Sequence, residues 1–331
     1  MTSGSPDQTL KSCIRERACL LGALRGYLSS HQCTEVTTPV LRPFGVTDPF
    51  IASISAYNEQ NRLGFLQTSP EYAMKQLLCL GSGDIWQLGP VFRSGETGRR
   101  HRSEFTMLEW YRCGWTLSQL MDEMIELTTV AATAMGPVAD DALGQLTSSS
   151  SSSPTKRTYR SLFEDRFGIN PHAIETARLA SLCTKKLGSL GQHIDPSTAR
   201  PEYHDALFSQ LIEPTLESPT FVTEFPREQA ALARVAERRG DTVALRFELY
   251  WRGVELANGY SELGDQAELN ARFVANNATR KAMGLPEMPL DDEFLALIDV
   301  LPDCVGVALG VDRLHMVLTG RRSLAGTEPG K

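Results

Sequence analysis

Four short segments of this chain carry residue types at spacings that can do chemistry. Residues 91–111 read Val-Phe-Arg-Ser-Gly-Glu-Thr-Gly-Arg-Arg-His-Arg-Ser-Glu-Phe-Thr-Met-Leu-Glu-Trp-Tyr, with Gly95, Gly98 and the arginines 93, 99, 100 and 102 in the polar middle. Glycines let the backbone approach a ligand closely, and guanidinium forks suit phosphate or carboxylate. A solvated hairpin with a basic tip fits the same residues. Residues 253–263, Gly-Val-Glu-Leu-Ala-Asn-Gly-Tyr-Ser-Glu-Leu, hold Glu255 and Glu262 seven positions apart. Two carboxylates facing one pocket, together with substrate phosphates, are what magnesium prefers. The plain alternative is two surface glutamates beside an Asn258-Gly259 turn. In Gly306-Val-Ala-Leu-Gly-Val-Asp-Arg313 small residues close a strand and Asp312-Arg313 opens a helix. Gln67-Thr-Ser69-Pro-Glu71-Tyr supplies polar groups at a chain turn, and it equally suits a helix start with serine as cap and proline in the first turn.

The elements that must position these groups follow from periodicity. Leu10, Ile14, Leu20, Leu21, Leu24 and Leu28 recur at helical spacing. The β-branched run from Cys33 to Pro39 reads as a strand ended by proline. Strands are expected over 64–68, 85–92 and 104–112, with a helix from Ser69 and another over 116–135. A loop is expected over 136–157, since Ser148–Ser153 is an unbroken serine run that cannot bury enough surface to order itself. Residues 160–236 read as mostly helical, interrupted by a strand at 219–226. Strands follow at 243–260 and 305–309, and helices at 265–283, 293–301 and 311–318. The strands are joined by irregular connections and not by regular βα units, which predicts an α+β fold around a largely antiparallel sheet flanked by helices.

Composition narrows the class. With 331 residues, 41% apolar and 22% charged, the chain reads as globular and large enough for a substantial core. A net charge of -7 lowers the expectation of stable nucleic-acid binding. No run of eighteen apolar residues exists, and the first ten residues lack a secretory pattern, so neither a membrane nor secretion is expected. The seven cysteines are scattered and never form Cys-x-x-Cys, which argues against a zinc site and for a reduced, cytoplasmic chain.

Taken in order, the segments resemble the conserved motifs of class II aminoacyl-tRNA synthetases, lysyl branch. The Phe92-Arg93 pair, its loop and Glu104-Phe-Thr are similar to motif 2, and Tyr111 stands where the lysyl branch has a tyrosine. Gly306–Arg313 is similar to motif 3, and the long helix, strand and Pro39 look like motif 1, which makes the dimer interface in that family. The resemblance spans roughly residues 10 to 320. It implies a single catalytic domain over residues 1–331, a homodimer, and ATP as co-substrate with Mg2+. Arg93 and Arg313 are implied as the catalytic arginines. The implied ATP contacts are Arg93, Ser94, Gly95, Arg102, Glu255, Leu256, Gly310 and Arg313. Substrate contacts are implied at Ser69, Glu71, Tyr111, Glu262 and Ala308, and metal ligation at Glu255 and Glu262.

Within the lysyl branch the chain resembles paralogues that act on translation elongation factor P. Ser69-Pro-Glu-Tyr72, Glu104-Phe-Thr-Met-Leu-Glu-Trp-Tyr111 and Leu301-Pro-Asp-Cys-Val-Gly-Val-Ala-Leu-Gly-Val-Asp-Arg313 carry this likeness. It implies a protein lysine as acceptor, lysine or β-lysine as donor, and no anticodon-binding domain. Ala308 replaces the glycine of synthetases, and its methyl would disfavour an α-amino acid while admitting a β-amino acid. Two departures stand out. Arg102-Ser103 replaces the usual Asn-Pro, and Gly95 stands where synthetases have an ATP-contacting glutamate, with Glu96 next to it able to serve. The alternatives are a ligase with another acceptor (tRNA, a free amine or a lipid) and a non-catalytic regulatory relative. Regulatory relatives typically lose the motif 2 or motif 3 arginine, and Arg93 and Arg313 are both present.

Overall fold

Leucines recurring at helical spacing build the first element, helix α1 (Pro6–Ser30), whose Leu20, Leu24, Tyr27 and Leu28 are buried along one stripe. Strands β1 (Thr34–Glu35) and β2 (Leu41–Arg42) follow, then the hairpin β3 (Ser55–Asn58) and β4 (Asn61–Leu66). Next come α2 (Glu71–Cys79), the paired strands β5 (Ile85–Phe92) and β6 (Glu104–Cys113), α3 (Leu117–Met135) and α4 (Asp140–Thr147). A helical module is made of α5 (Tyr159–Phe167), α6 (Thr176–Leu187), α7 (Ser189–Gln192) and α8 (Ala199–Leu211), preceded by β7 (Thr155–Thr158). The chain then forms β8 (Thr220–Pro226), β9 (Val235–Arg238), β10 (Asp241–Trp251) and β11 (Val254–Ser261). It closes with α9 (Gln266–Ala282), α10 (Asp292–Leu297), β12 (Cys304–Gly310) and α11 (Val311–Leu318). This computed structural model describes residues 6–147, 154–192, 194, 199–325 and 327.

The main sheet runs β1-β5-β6-β12-β11-β10-β8-β7, with β9 also paired to β10. Only β1 with β5 and β7 with β8 are parallel; the other pairings are antiparallel. This is the expected α+β architecture. Residues 108 and 110 of β6 and 305, 307 and 309 of β12 point into a core shared with α1, α3 and α11. Each large side chain buried there contributes about 1.5–3 kcal/mol. On the opposite face, α2, α9 and α10 cover one end of the sheet and α5, α6 and α8 the other. The middle strands are left open between them. Among the described residues no helix is long and apolar enough to cross a membrane.

Local chemistry explains most element ends. Thr116 and Gln119 form a capping box that starts α3. Thr158 caps α5, Asp265 caps α9 and Asp291 caps α10. Gly259 packs flat beneath Phe247, whose ring would lie 2.5 Å from any Cβ at that position.

Three expectations differ from the structure. The Cys33–Pro39 strand is only Thr34–Glu35, because the Thr38 N–H is taken by the Gln87 side chain at 2.8 Å and Pro39 has no N–H to give. Over 136–147 the expected loop is a 3-10 turn leading into α4: Pro137 suits the first turn, and Ala139 and Ala142 are buried against the main core. The serine run 148–153 lies outside the described residues, while 155–157 fall in β7. Residues 227–236 are a short 3-10 turn and part of β9, since Val243 and Ala244 recruit Ala236 and Val235 into a ladder.

Candidate active site

Strand β12 lies between β6 and β11 with Gly306 opposite Tyr111 and Tyr260, Ala308 opposite Glu109 and Asn258, and Gly310 opposite Met107. Alternate residues of these strands face a cleft of about 350 Å³, within the range of small-molecule sites. Gly306 and Gly310 are four residues apart, about 13 Å along a strand. The cleft therefore has two separate ends.

One end is basic. Arg93 follows β5, and its N–H bonds Ser103 O at 2.9 Å, closing the base of the 93–103 loop. The Arg93 guanidinium donates to Thr68 O at 3.4 Å, lies 5.2 Å above the Phe105 ring and sits 3.5 Å from Glu96. Arg313 enters from the first turn of α11. It donates to Glu255 O at 2.9 Å, reaches Glu255 Oε2 at 3.4 Å and bonds Arg100 O at 3.2 Å. Its neighbour Asp312 holds the helix in place by accepting from Thr106 N at 2.9 Å and from Arg17 at 2.6 Å. Arg100 donates to Gly253 O at 2.7 Å and Arg102 to Leu324 O at 2.9 Å, which anchors the loop over the cleft. Burial and Arg313 lower the His101 pKa, so the ring stays neutral at pH 7. Arg93, Arg100, Arg102 and Arg313 against Glu96 and Glu255 leave a positive surplus of two, an environment suited to phosphates.

The other end is acidic and buried. Ser69 Oγ accepts from Glu71 N at 3.0 Å and donates to Glu109 at 2.6 Å. Glu109 also accepts the Tyr111 hydroxyl at 2.7 Å. Lys75 Nζ lies 2.7 Å from Glu71 Oε1 and 2.6 Å from Glu262 Oε2, with Lys75 and Glu262 each only 1% exposed. Burial raises the Glu109 pKa, helped by the charge of Glu71 and opposed by the two hydroxyl donors. Burial likewise raises that of Glu262, against the pull of Lys75. Burial alone would lower the Lys75 pKa, but the Glu262 and Glu71 carboxylates outweigh it and the net direction is upward. A Cβ on Gly306 would lie 2.4 Å from the Tyr111 ring and 2.6 Å from Glu262 Oε1. Glycine at 306 is thus what lets both side chains converge on the floor.

The structure gathers Arg93, Arg102, Glu255, Leu256, Gly310 and Arg313, together with Ser69, Glu71, Tyr111, Glu262 and Ala308, around this one cleft. Ser94 and Gly95 are not among its lining residues. Ser94 N is bonded to Ala52 O at 2.8 Å, and Gly95 turns the loop at φ 79°, a conformation that a glutamate would adopt only with strain. Glu96 lines the cleft in its place.

One expectation is corrected. Glu255 and Glu262 do not share a magnesium ion, because they stand at opposite ends of β11, about 23 Å apart at the rise of a strand. Glu262 is paired with Lys75 and Glu255 with Arg313. Two buried carboxylates feel the charge of Glu255, Glu248 on β10 and Glu213: burial raises both pKa values and Glu255 adds to each, while Glu248 accepts from Arg246 and Tyr250. Among the described residues no cluster of three or more metal-ligating side chains exists. A Glu255–Glu248 pair completed by substrate phosphates fits magnesium, which keeps several waters and takes few carboxylates. Sequence reasoning missed Lys75, Glu109 and Glu248. Lys75 was readable as the i+4 partner of Glu71 on a helix, whereas Glu109 and Glu248 looked like ordinary strand residues.

A basic end, an acidic end and a glycine-floored antiparallel sheet define the catalytic domain of a class II synthetase, and the model of the family "tRNA synthetases class II (D, K and N)" matches residues 6–327. The chain belongs to that family. It is similar, over nearly the full length of each relative, to proteins named elongation factor P--(R)-beta-lysine ligase. The one from Vibrio cholerae serotype O1 is 41% identical over 93% of this chain and 91% of its own length. Those from Haemophilus influenzae (strain PittGG) and Pasteurella multocida (strain Pm70) are 37% and 38% identical, covering 94% and 93% of this chain and 92% and 91% of theirs.

Proposed function

We propose that this protein activates lysine or (R)-β-lysine with ATP and transfers it to a lysine side chain of translation elongation factor P. The observation that carries the reading is the two-ended cleft, arginines at one end and a buried acidic cluster at the other, in a chain so similar to the relatives named above. A substrate carboxylate oxygen attacks the α-phosphorus, and pyrophosphate leaves with the electron pair of the broken P–O bond. Arg93 and Arg313 offset the charge on the phosphates, and positioning supplies most of the acceleration. Magnesium, when bound by Glu255 and Glu248, adds further charge neutralisation on the phosphates. In the second step the neutral acceptor amine attacks the adenylate carbonyl, AMP leaves, and the amine proton is lost to solvent or phosphate. Ser69, Glu71, Glu109, Tyr111 and Glu262 receive the ammonium groups of the donor.

Ala308 supports the β-amino acid as donor, since its methyl stands on the cleft floor opposite Glu109 and Asn258. Such a methyl is worth about 1–3 kcal/mol in discrimination. The reading includes a single catalytic domain working in the cytoplasm without stable nucleic-acid binding. It also includes a homodimer, which the exposed apolar side chains of Leu10 and Ile14 on α1 support. The test is amino-acid-dependent ATP–pyrophosphate exchange with both lysine isomers, in the wild type and in Ala308→Gly. The wild type is expected to favour β-lysine and Ala308→Gly to shift toward α-lysine. No exchange with either isomer would refute the reading.

A further inference from the structure

Lys75 has no role in the reaction as described, yet it is fully buried beneath the acidic end of the cleft. It sits one helical turn from Glu71 on α2, on the same face. A buried ammonium is costly unless paired, and an apolar side chain of the same length would fill the space without that cost. Its two ion pairs each take one carboxylate oxygen: Glu71 Oε1 at 2.7 Å and Glu262 Oε2 at 2.6 Å. Glu71 Oε2 and Glu262 Oε1 are not the oxygens that Lys75 engages, and both residues line the cleft. Glu109, the third acid, accepts from the hydroxyls of Ser69 and Tyr111. With all three carboxylates ionised against the one ammonium, the cluster carries a surplus of two negative charges. Lysine and β-lysine each bring two ammonium groups.

We propose that Lys75 is a positioning residue that divides the acidic end of the cleft into two separate one-ammonium sites, one at Glu71 and one at Glu262. The division selects a donor with two ammonium groups over a donor with one. Without Lys75 the two carboxylates face each other with nothing between them, and a single ammonium can bridge both. The inference rests on the reading of this cleft as a lysine-type activating site.

The experiment is pyrophosphate exchange with lysine and β-lysine against norleucine, which has only the amine near the carboxylate, and 6-aminohexanoate, which has only the terminal amine. In Lys75→Met the preference for the two-ammonium donors, taken as a ratio of kcat/KM, is expected to fall by about tenfold or more through the KM of the amino acid. The KM for ATP should stay within about threefold in both variants, and Lys75→Arg should keep the preference within about threefold. An unchanged ratio in Lys75→Met, even with all rates lowered together, would show a merely structural role and overturn the proposal. So would loss of the ratio in a folded Lys75→Arg, which decides the matter if Lys75→Met does not fold. Absence of exchange in the wild type overturns the lysine-type reading itself, an outcome distinct from both.

Discussion

Replacing Gly306 by alanine adds one methyl group to the floor of the acidic end. That methyl would lie 2.4 and 2.6 Å from the Tyr111 ring and 2.6 Å from Glu262 Oε1. Tyr111 is 2% and Glu262 1% exposed, and each is held by a buried partner, Glu109 and Lys75. Overpacking of this kind costs about 1–3 kcal/mol. Relief requires the Tyr111 ring to tilt away, which breaks its 2.7 Å bond to Glu109, or Glu262 to leave Lys75. Either movement disrupts the place where the donor amines bind. If the full cost falls on donor binding, the KM for the amino acid rises about 5- to 150-fold. The phosphate end lies about 13 Å along the strand, so the KM for ATP should change less than about twofold. The assay is steady-state pyrophosphate exchange with each substrate varied, alongside a thermal melt. An amino-acid KM within about twofold of wild type together with an unchanged Tm would refute the packing argument, because 1 kcal/mol moves Tm by about 2–4 °C even in larger domains.

Arg93→Ala should lower the exchange rate by about 10²–10³-fold with the fold intact by circular dichroism, as for loss of one charge-stabilising donor. Glu123→Ala should destabilise the protein by about 1–3 kcal/mol in urea unfolding, since buried Arg112 loses its 3.0 Å bond from Nε and keeps only Asp84 at 3.1 Å and the His31 carbonyl at 3.0 Å, and the Trp110 indole N–H is left without its 2.9 Å partner. His204 is buried among Tyr159, Phe163, Arg200, His172 and Glu228, and burial, then Arg200 and His172, push its pKa down to about 3. A folded value below the unfolded value of about 6.5 means full stability above pH 6.5 and progressive loss as pH falls toward 3, at most about 1.4 kcal/mol per pH unit. His204→Phe should flatten that slope between pH 6.5 and 4.5 in denaturant titrations.

The motifs were legible because each is local. Arg93 follows a strand, Arg313 opens a helix after small residues, and Glu71 opens another after Ser69-Pro70; chain neighbours fix all three. The pairing of Glu255 with Glu262 was misread because sequence spacing does not give distance. Their odd offset would even place them on opposite faces of a regular strand, and a β-bulge where Leu249 pairs with Ala257 and Tyr250 with Glu255 resets the alternation. Lys75 and Glu109 were passed over because a charged residue in a helix or strand is expected to be solvated. Only the tertiary fold reveals that both are buried, Lys75 paired with Glu71 and Glu262, and Glu109 bonded to the Ser69 and Tyr111 hydroxyls. In the helical module only the mostly helical character of the segment from residue 160 was readable. β7 and β9 exist only through their partners β8 and β10, so short polar strands such as Thr155–Thr158 carried no pattern of their own.

The central claim, a class II activating site that loads a protein lysine, is tested most directly by intact-mass measurement of purified elongation factor P. The protein is incubated with ATP, magnesium and one lysine isomer at a time. The account predicts a gain of one lysyl unit on elongation factor P, larger with (R)-β-lysine, and no gain when Arg93→Ala replaces the wild type. An unmodified acceptor with both isomers, under conditions where the wild type still catalyses pyrophosphate exchange, would contradict the assignment of a protein lysine as acceptor.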